Sequence, residues 1–277
     1  YSSVNGLPAG TPLSGAIFAV YDKQNNVVDK FQTNENGIGS SKKLPLGIYT
    51  VKEVQAPANY GLNPTVFTAD IEFAGQVVKL NVTDPVITAG VSIKKTGYAQ
   101  TMNNNIMRWT VSGVRNDSTT SLQSFYWRDT LPTDAVRLTR LVTGTYSTTQ
   151  TYKVTFTTNL NSQWRTAYDN LSTAKNYTLD MSSAALGLAS NEYVTQFMLS
   201  FGIVPAGFHQ LTNATVDAQT LYALTNGYKF TNKADVGGLL GGNWVQSIAR
   251  WTTSIYSHYV PAKPAAPKSP TLPRTGY

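Results

Sequence analysis

Gly47-Ile48-Tyr49-Thr50-Val51-Lys52-Glu53-Val54 alternates as a strand does. Period two puts Tyr49, Val51 and Glu53 on one face and Thr50 and Lys52 on the other. Runs of the same kind recur on both sides: Ala16-Ile17-Phe18-Ala19-Val20-Tyr21 before it, then Val66-Phe67-Thr68-Ala69-Asp70-Ile71-Glu72-Phe73 and Val77-Val78-Lys79-Leu80-Asn81-Val82 after it. Asn25-Asn26 and Asn34-Glu35-Asn36-Gly37 stand between the runs as turn signals. Short strands at this spacing, with Asn/Gly turns, predict a small antiparallel β-sandwich over residues 1–86.

Thr88-Ala89-Gly90 is a short connector into a second unit, residues 87–260. Strands are expected at Val91 to Lys95, Arg108 to Val114, Ser124 to Pro132, Arg137 to Val142, Thr151 to Thr157, Tyr193 to Phe201, Gly227 to Val236 and Asn243 to Tyr259. One short helix is predicted within Tyr177 to Leu188, where Ala184, Ala185, Leu186 and Leu188 follow Ser182-Ser183. Gly237-Gly238-Leu239-Leu240-Gly241-Gly242 has the glycines of a phosphate loop but no following Lys-Ser/Thr, so it is read as a hairpin loop. The remainder, residues 261–277, is rich in Pro, Ala, Lys and Ser with no apolar period. That composition predicts an extended, polyproline-like tether. The fold class is therefore all-β: two tandem immunoglobulin-like β-sandwich domains followed by a Pro-rich C-terminal tail.

Composition removes several kinds of function. With no Cys in 277 residues there is no disulfide, thiolate metal site or Cys nucleophile. His209 and His258 stand far apart, no His/Asp/Glu cluster has metal-ligand spacing, and no cofactor is expected. The formal charge of +7 is scattered, without a basic stripe interleaved with aromatics, which argues for attraction to an anionic surface and general solubility rather than nucleic-acid binding. Nothing specifies turnover on an external substrate, so the chain is not read as an enzyme.

Leu272-Pro273-Arg274-Thr275-Gly276 resembles the LPxTG sorting signal. A Gram-positive sortase cleaves that signal between Thr and Gly and joins the Thr carboxyl to an amine on the cell wall or on another pilin. In such families an apolar helix and a basic tail normally follow; neither is present here, so the sequence reads as a processed or trimmed mature region. The first unit is likewise similar to the B-type repeat of collagen adhesins and pilins. Leu13-Ser14-Gly15-Ala16-Ile17-Phe18, Asn36-Gly37, Gly47 to Glu53, Ala56-Pro57 and Tyr60 carry that likeness, and Tyr49-Thr50-Val51-Lys52-Glu53 looks like the pilin E-box. The resemblance implies a covalent bond from a first-strand Lys to an Asn or Asp on the last strand, catalysed by the E-box Glu. Glu53 fits the catalyst, and Asp84, sharing a face with Leu80 and Val82, fits the acceptor. The family's spacing places the Lys near Asn5, whereas the first Lys is Lys23. The expectation is thus a pair of acids without a bond, at least one of them protonated or facing solvent.

In the second unit, one polar residue interrupts an apolar face three times. Lys95 follows Val91 and Ile93; Asp129 lies among Phe125, Trp127 and Leu131; Asn232 lies among Phe230, Ala234 and Val236. Taken singly, a snorkelling Lys, a turn-capping Asp and an Asn at a bulge account for them. Taken together they have a chemical use. Burial favours a neutral, nucleophilic amine and a protonated acid. A protonated Asp129 can polarise the Asn232 carboxamide while Lys95 Nζ attacks its Cγ, and can then carry the proton that lets ammonia leave. Lys94 alternates onto the outer face. These segments are similar to the Asp-type isopeptide domains of pilins and A-type adhesin folds, in which the order is likewise Lys, Asp, Asn. The likeness is thin between Thr143 and Tyr222.

Two classes of function follow. The first is a pilus subunit, with sortase, a shaft subunit and peptidoglycan as partners. The second is a wall-anchored adhesin for a host extracellular-matrix protein or glycan. Shaft subunits carry a Tyr-Pro-Lys-like segment, which is missing, so the chain resembles a minor pilin, most of all the basal one. Lys42, Lys43, Lys263 and Lys268 are candidate acceptors for the shaft.

Overall fold

In a computed structural model, residues 10–256 are described; the motif at Leu272 to Gly276, His258 and the candidate acceptors Lys263 and Lys268 lie outside them. The described chain is all-β. Strands β1 (Ile17–Tyr21), β2 (Val27–Gln32), β3 (Gly47–Gln55) and β4 (Val66–Ile71) form one antiparallel sheet in the order β2-β1-β3-β4. Its apolar face buries Phe18 and Val20 from β1 with Tyr49 and Val51 from β3, and Phe18 stacks on Phe31 at 5.6 Å. These are the residues that period two puts on one side. Val77 to Val82, expected as a further strand, is not one. Leu80 and Val82 pack on this core and alternate with exposed neighbours, yet no ladder of hydrogen bonds joins the run to the sheet among the described residues. The side chains obey the strand period; the backbone lacks a partner to make it a strand.

The second body is a sandwich with its own core. Its strands are β5 (Val91–Gly97), β6 (Gln100–Thr101), β7 (Met107–Asn116), β8 (Leu122–Thr130), β9 (Val136–Val142), β10 (Thr145–Tyr146), β11 (Thr151–Thr158), β12 (Arg165–Ser172), β13 (Thr178–Asp180), β14 (Val194–Val204), β15 (Gln210–Thr212), β16 (Ala214–Thr220), β17 (Lys229–Leu240) and β18 (Asn243–Ile255). One layer has five strands, β13-β9-β16-β7-β5, and the other seven, β12-β11-β14-β8-β17-β18-β6; β10 and β15 pair apart. All neighbours are antiparallel except β18 and β6. Between the layers lie Trp109, Val111 and Leu141 from the first and Phe125, Trp127, Phe197 and Val236 from the second, none of them measurably exposed. Some polar atoms in this core are bonded: Trp127 Nε1 donates to Tyr146 Oη at 2.8 Å, and Tyr146 Oη donates to the Thr143 carbonyl at 2.9 Å. The connector is stitched down as well, the Thr88 carbonyl accepting from Thr119 N–H and the Gly90 carbonyl from Asp117 N–H.

Two local expectations are corrected. The helix predicted within Tyr177 to Leu188 is absent: β13 takes its first residues, and a single turn follows, closed by Leu186 N–H on the Ser182 carbonyl and Leu188 N–H on the Ser183 carbonyl. Gly187, at φ 65°, ends the turn before a second can form. The glycine run is mostly strand. Only Gly241 and Gly242, at φ 55° and 83°, make the two-residue hairpin turn. Gly237 and Gly238 lie inside β17, where a Cβ would come within 3.0 Å of the Tyr126 ring and 2.9 Å of Leu122.

Candidate functional site

Lys95, Asp129 and Asn232 all point into the second core. Lys95 leaves β5, in the five-stranded layer, and crosses to the seven-stranded one. Asp129 and Asn232 sit on adjacent strands there: β17 pairs with β8 so that Ala234 is opposite Asp129, which puts Asn232 diagonally beside it on the same face. Lys95 Nζ contacts Asp129 Oδ2, and both side chains are fully buried. Asn232 has no exposed surface, and neither its Oδ1 nor its Nδ2 has a hydrogen-bond partner; Asp129 Oδ1 has none either. Lys94, by contrast, is exposed.

The electrostatics favour a proton on Asp129. Burial pushes its carboxyl up, and the neighbouring Lys95 and Asn232 only partly offset this. A proton on Asp129 would serve the side of Asn232 that lacks a donor. The Trp109 ring completes the dry wall, its centroid 5.9 Å from Lys95 Nζ. Trp109 is the residue that reading by parity missed as part of the site, because its place on β7 beside β5 rests on a long-range pairing that alternation does not report.

The first sheet carries the other predicted acids. Glu53 is 4% exposed, and its Oε2 accepts from Asn63 N–H at 2.6 Å. The Asn63 side chain reaches Thr83 O at 2.7 Å, drawing the segment that holds Asp84 toward β3. Glu53 Oε1 and Asp84 Oδ1 are both buried and without partners. Burial raises Glu53, with Asp84 adding to the shift, and burial raises Asp84 too. One shared proton would satisfy both oxygens. A consequence for stability follows. A carboxyl raised in the folded state contributes stability that is complete below the ordinary values of 3.8 and 4.5 and is lost as pH rises through the raised ones. The first body is therefore expected to melt lower at pH 7 than at pH 4, and Glu53→Gln, which keeps the shape without the charge, to flatten that dependence. Melting curves of both proteins against pH check it; a parallel pH dependence in the variant would refute the shared proton.

Among the described residues no group of three His, Asp or Glu could hold a metal, and no helix is long and apolar enough to cross a membrane.

Comparison with known proteins bears on the two bodies unequally. Residues 8–86 match the family described as SpaA, a prealbumin-like fold domain. That match takes in Glu53, Asn63 and Asp84 and ends before β5. Over 69 residues, 25% of this chain, the sequence is 41% identical to the trypsin-resistant surface T6 protein of Streptococcus pyogenes serotype M6, of which the stretch makes up 13%. The full-length RrgB pilus protein of Streptococcus pneumoniae is 13% identical with a TM-score of 0.36, over 87% of this chain and 44% of that one. The major pilin subunit BcpA of Bacillus cereus, in a variant form, is 12% identical with a TM-score of 0.34, over 89% of this chain and 65% of that one. The chain thus spans less than two thirds of each of these proteins.

Proposed function

We propose that the chain is a structural subunit of a sortase-assembled Gram-positive pilus, held to peptidoglycan through Thr275 of the LPxTG-like motif and locked internally by a Lys95–Asn232 isopeptide bond. One observation carries the reading: an amine, a carboxyl and a carboxamide meet in a dry core, and the carboxamide has no other partner. A carboxamide buried without hydrogen bonds is costly as an ornament; as an electrophile it loses its unpartnered nitrogen as ammonia, and its oxygen can accept from a protonated Asp129. The reaction balances without a cofactor. Lys95 Nζ forms a bond to Asn232 Cγ, and Asp129 protonates the carboxamide oxygen in the tetrahedral intermediate. Asp129 then passes the amine proton to the departing Nδ2, the C–N bond breaks, ammonia leaves, and the oxygen returns its proton to Asp129 as the amide carbonyl re-forms. The product joins the first strand of one layer to the penultimate strand of the other, across the sandwich, so tension along the fibre would load an amide rather than the core.

Intact-mass and crosslinked-peptide mass spectrometry test this. The protein is expected one ammonia lighter than its sequence, with Lys95 and Asn232 in one branched peptide, and Asp129→Ala is expected at full sequence mass. Finding the unmutated protein at full mass would end the proposal. Glu53 and Asp84 are proposed to remain unbonded, since no Lys lies in the spacing the family uses.

Within a pilus, small size, two bodies and a Pro-rich tail, together with the lack of a Tyr-Pro-Lys-like segment, favour the basal position. A basal subunit must offer one amine to the last shaft subunit. Lys42 and Lys43, exposed ahead of β3, meet that need. Incubation with a pilus sortase and an LPxTG peptide should modify one lysine, found by peptide mapping; no modified lysine would remove the basal assignment while leaving the bond untouched.

A further inference from the structure

The outer face of the seven-stranded layer carries a groove of about 720 Å³, on the opposite side of β8 from Asp129. Tyr126 and Met198 form its floor, and Trp164, just before β12, and Trp244, at the start of β18, line it. Both tryptophans are open to solvent, at 40% and 54% exposure. Trp has more to gain from burial than any other side chain, so two open indoles lining one groove are a feature to be explained. Nor is Trp244 loose: its ring meets Tyr126 edge-on with centroids 5.8 Å apart.

The floor is held by a closed set of bonds. Arg128 donates from Nε and Nη2 to Asp235 at 3.1 and 3.0 Å, Tyr126 Oη donates to Asp235 at 3.1 Å, and Gln246 Nε2 donates to Tyr126 Oη at 3.0 Å. The Arg128 charge is therefore met inside the protein. Lys153 and Asp169, both exposed, add one charge of each sign to the lining. The result is a groove with apolar plates, fixed polar groups and no dominant charge.

We propose that this groove binds a neutral pyranose oligosaccharide. The C–H faces of two sugar rings would stack on Trp164 and Trp244, and ring hydroxyls would bond to Asp169, Lys153 and Gln246. A pyranose presents an apolar face and a rim of hydroxyls, the complement of indole plates flanked by planar polar side chains. Other occupants fit less well. An extended peptide adds to a sheet edge, whereas the backbone under the groove on β8 is already paired on both sides by β14 and β17. A nucleic acid needs an unneutralised basic track. A Pro-rich segment could use the aromatic plates, but the chain's own, residues 260–277, contains Lys263, Lys268 and Arg274 and no acid, and the lining, whose exposed charges Lys153 and Asp169 cancel, offers those three cations no net negative charge.

The test uses the full chain, tryptophan fluorescence and calorimetry, with chitotetraose, cellotetraose, maltotetraose, mannotetraose and lacto-N-tetraose as probes. At least one is expected to shift the emission saturably. Trp164→Ala and Trp244→Ala are each expected to weaken that binding about tenfold, as loss of one stacking face implies. Both side chains are exposed, so both variants should fold, which unchanged melting would verify. Arg250→Ala, on the same strand as Trp244 but outside the groove, is expected to bind as the parent does. No saturable response to any of these sugars overturns the proposal, as does binding that survives both Trp substitutions. Binding of a synthetic peptide of residues 260–276 in place of sugar also overturns it.

Discussion

Asn232→Ala is expected to leave the protein at its full sequence mass and to lower the stability of the second sandwich by about 5 kcal/mol. The substitution removes the electrophile and little else, because Lys95 Nζ and Asp129 Oδ2 still contact one another. What would be lost is the proposed crosslink, which closes a loop longer than about 100 residues, and by chain entropy such a tie restricts the unfolded state by that amount. Against a typical total of about 5–15 kcal/mol the loss is large. It corresponds to a fall of about 10–20 °C in melting temperature for a body of this size. Asp129→Ala should fall further. It blocks the same bond and also strands the Lys95 amine in the core without a partner, a penalty of a few kcal/mol on its own. The order parent, Asn232→Ala, Asp129→Ala by calorimetry therefore separates the bond from the polar pair. Equal melting of the parent and Asn232→Ala would mean that no bond contributes.

How far these features were legible depended on whether a signal was local. The parity of Ile93 with Lys95, of Trp127 with Asp129 and of Phe230 with Asn232 was visible because period two is a property of each strand alone, and all six side chains are buried. That Lys95 comes from the layer facing the other two was not visible, since layer assignment rests on pairings such as β5 with β7 that join distant segments. The same limit explains the run from Val77 to Val82, whose alternation was right and whose backbone pairing was not. Ala184, Ala185 and Leu186 suggested a helix because their propensities are high, but one Gly closing a turn outweighs three good formers in so short a segment. Asp217 misleads in another way. Its parity is outward, yet it is 1% exposed, covered by Arg108 and Arg140 from the neighbouring strands β7 and β9. Burial opposes its ionisation, and the two guanidiniums outweigh burial and hold its carboxyl below the ordinary value. Alternation reports which layer face a residue is on; it does not report what lies over that face.

Trp109→Ala is expected to slow formation of the Lys95–Asn232 bond about tenfold or more, and to destabilise the sandwich by about 3–5 kcal/mol. The indole is fully buried, and its ring centroid lies 5.9 Å from Lys95 Nζ. Cutting it to a methyl leaves a void far above the roughly 15 Å³ that one water requires, beside polar groups able to hold that water. Hydration stabilises the ammonium form, and an ammonium has no lone pair with which to attack Asn232 Cγ. It also weakens the case for a neutral Asp129, whose proton rests on the absence of water. Both effects act on the reaction rather than on the fold, so they should appear in the folded fraction. In freshly purified Trp109→Ala, isolated by size exclusion, the mass spectrum should show bonded and unbonded species together, with the bonded share growing over time and growing faster at higher pH. Trp109→Phe, which keeps an aromatic wall and leaves a smaller void, should bond nearly as fast as the parent. If Trp109→Ala instead emerges fully bonded, at the parent's rate, then dryness around the amine is not what drives the step, and the proximity of Lys95, Asp129 and Asn232 alone would have to account for it.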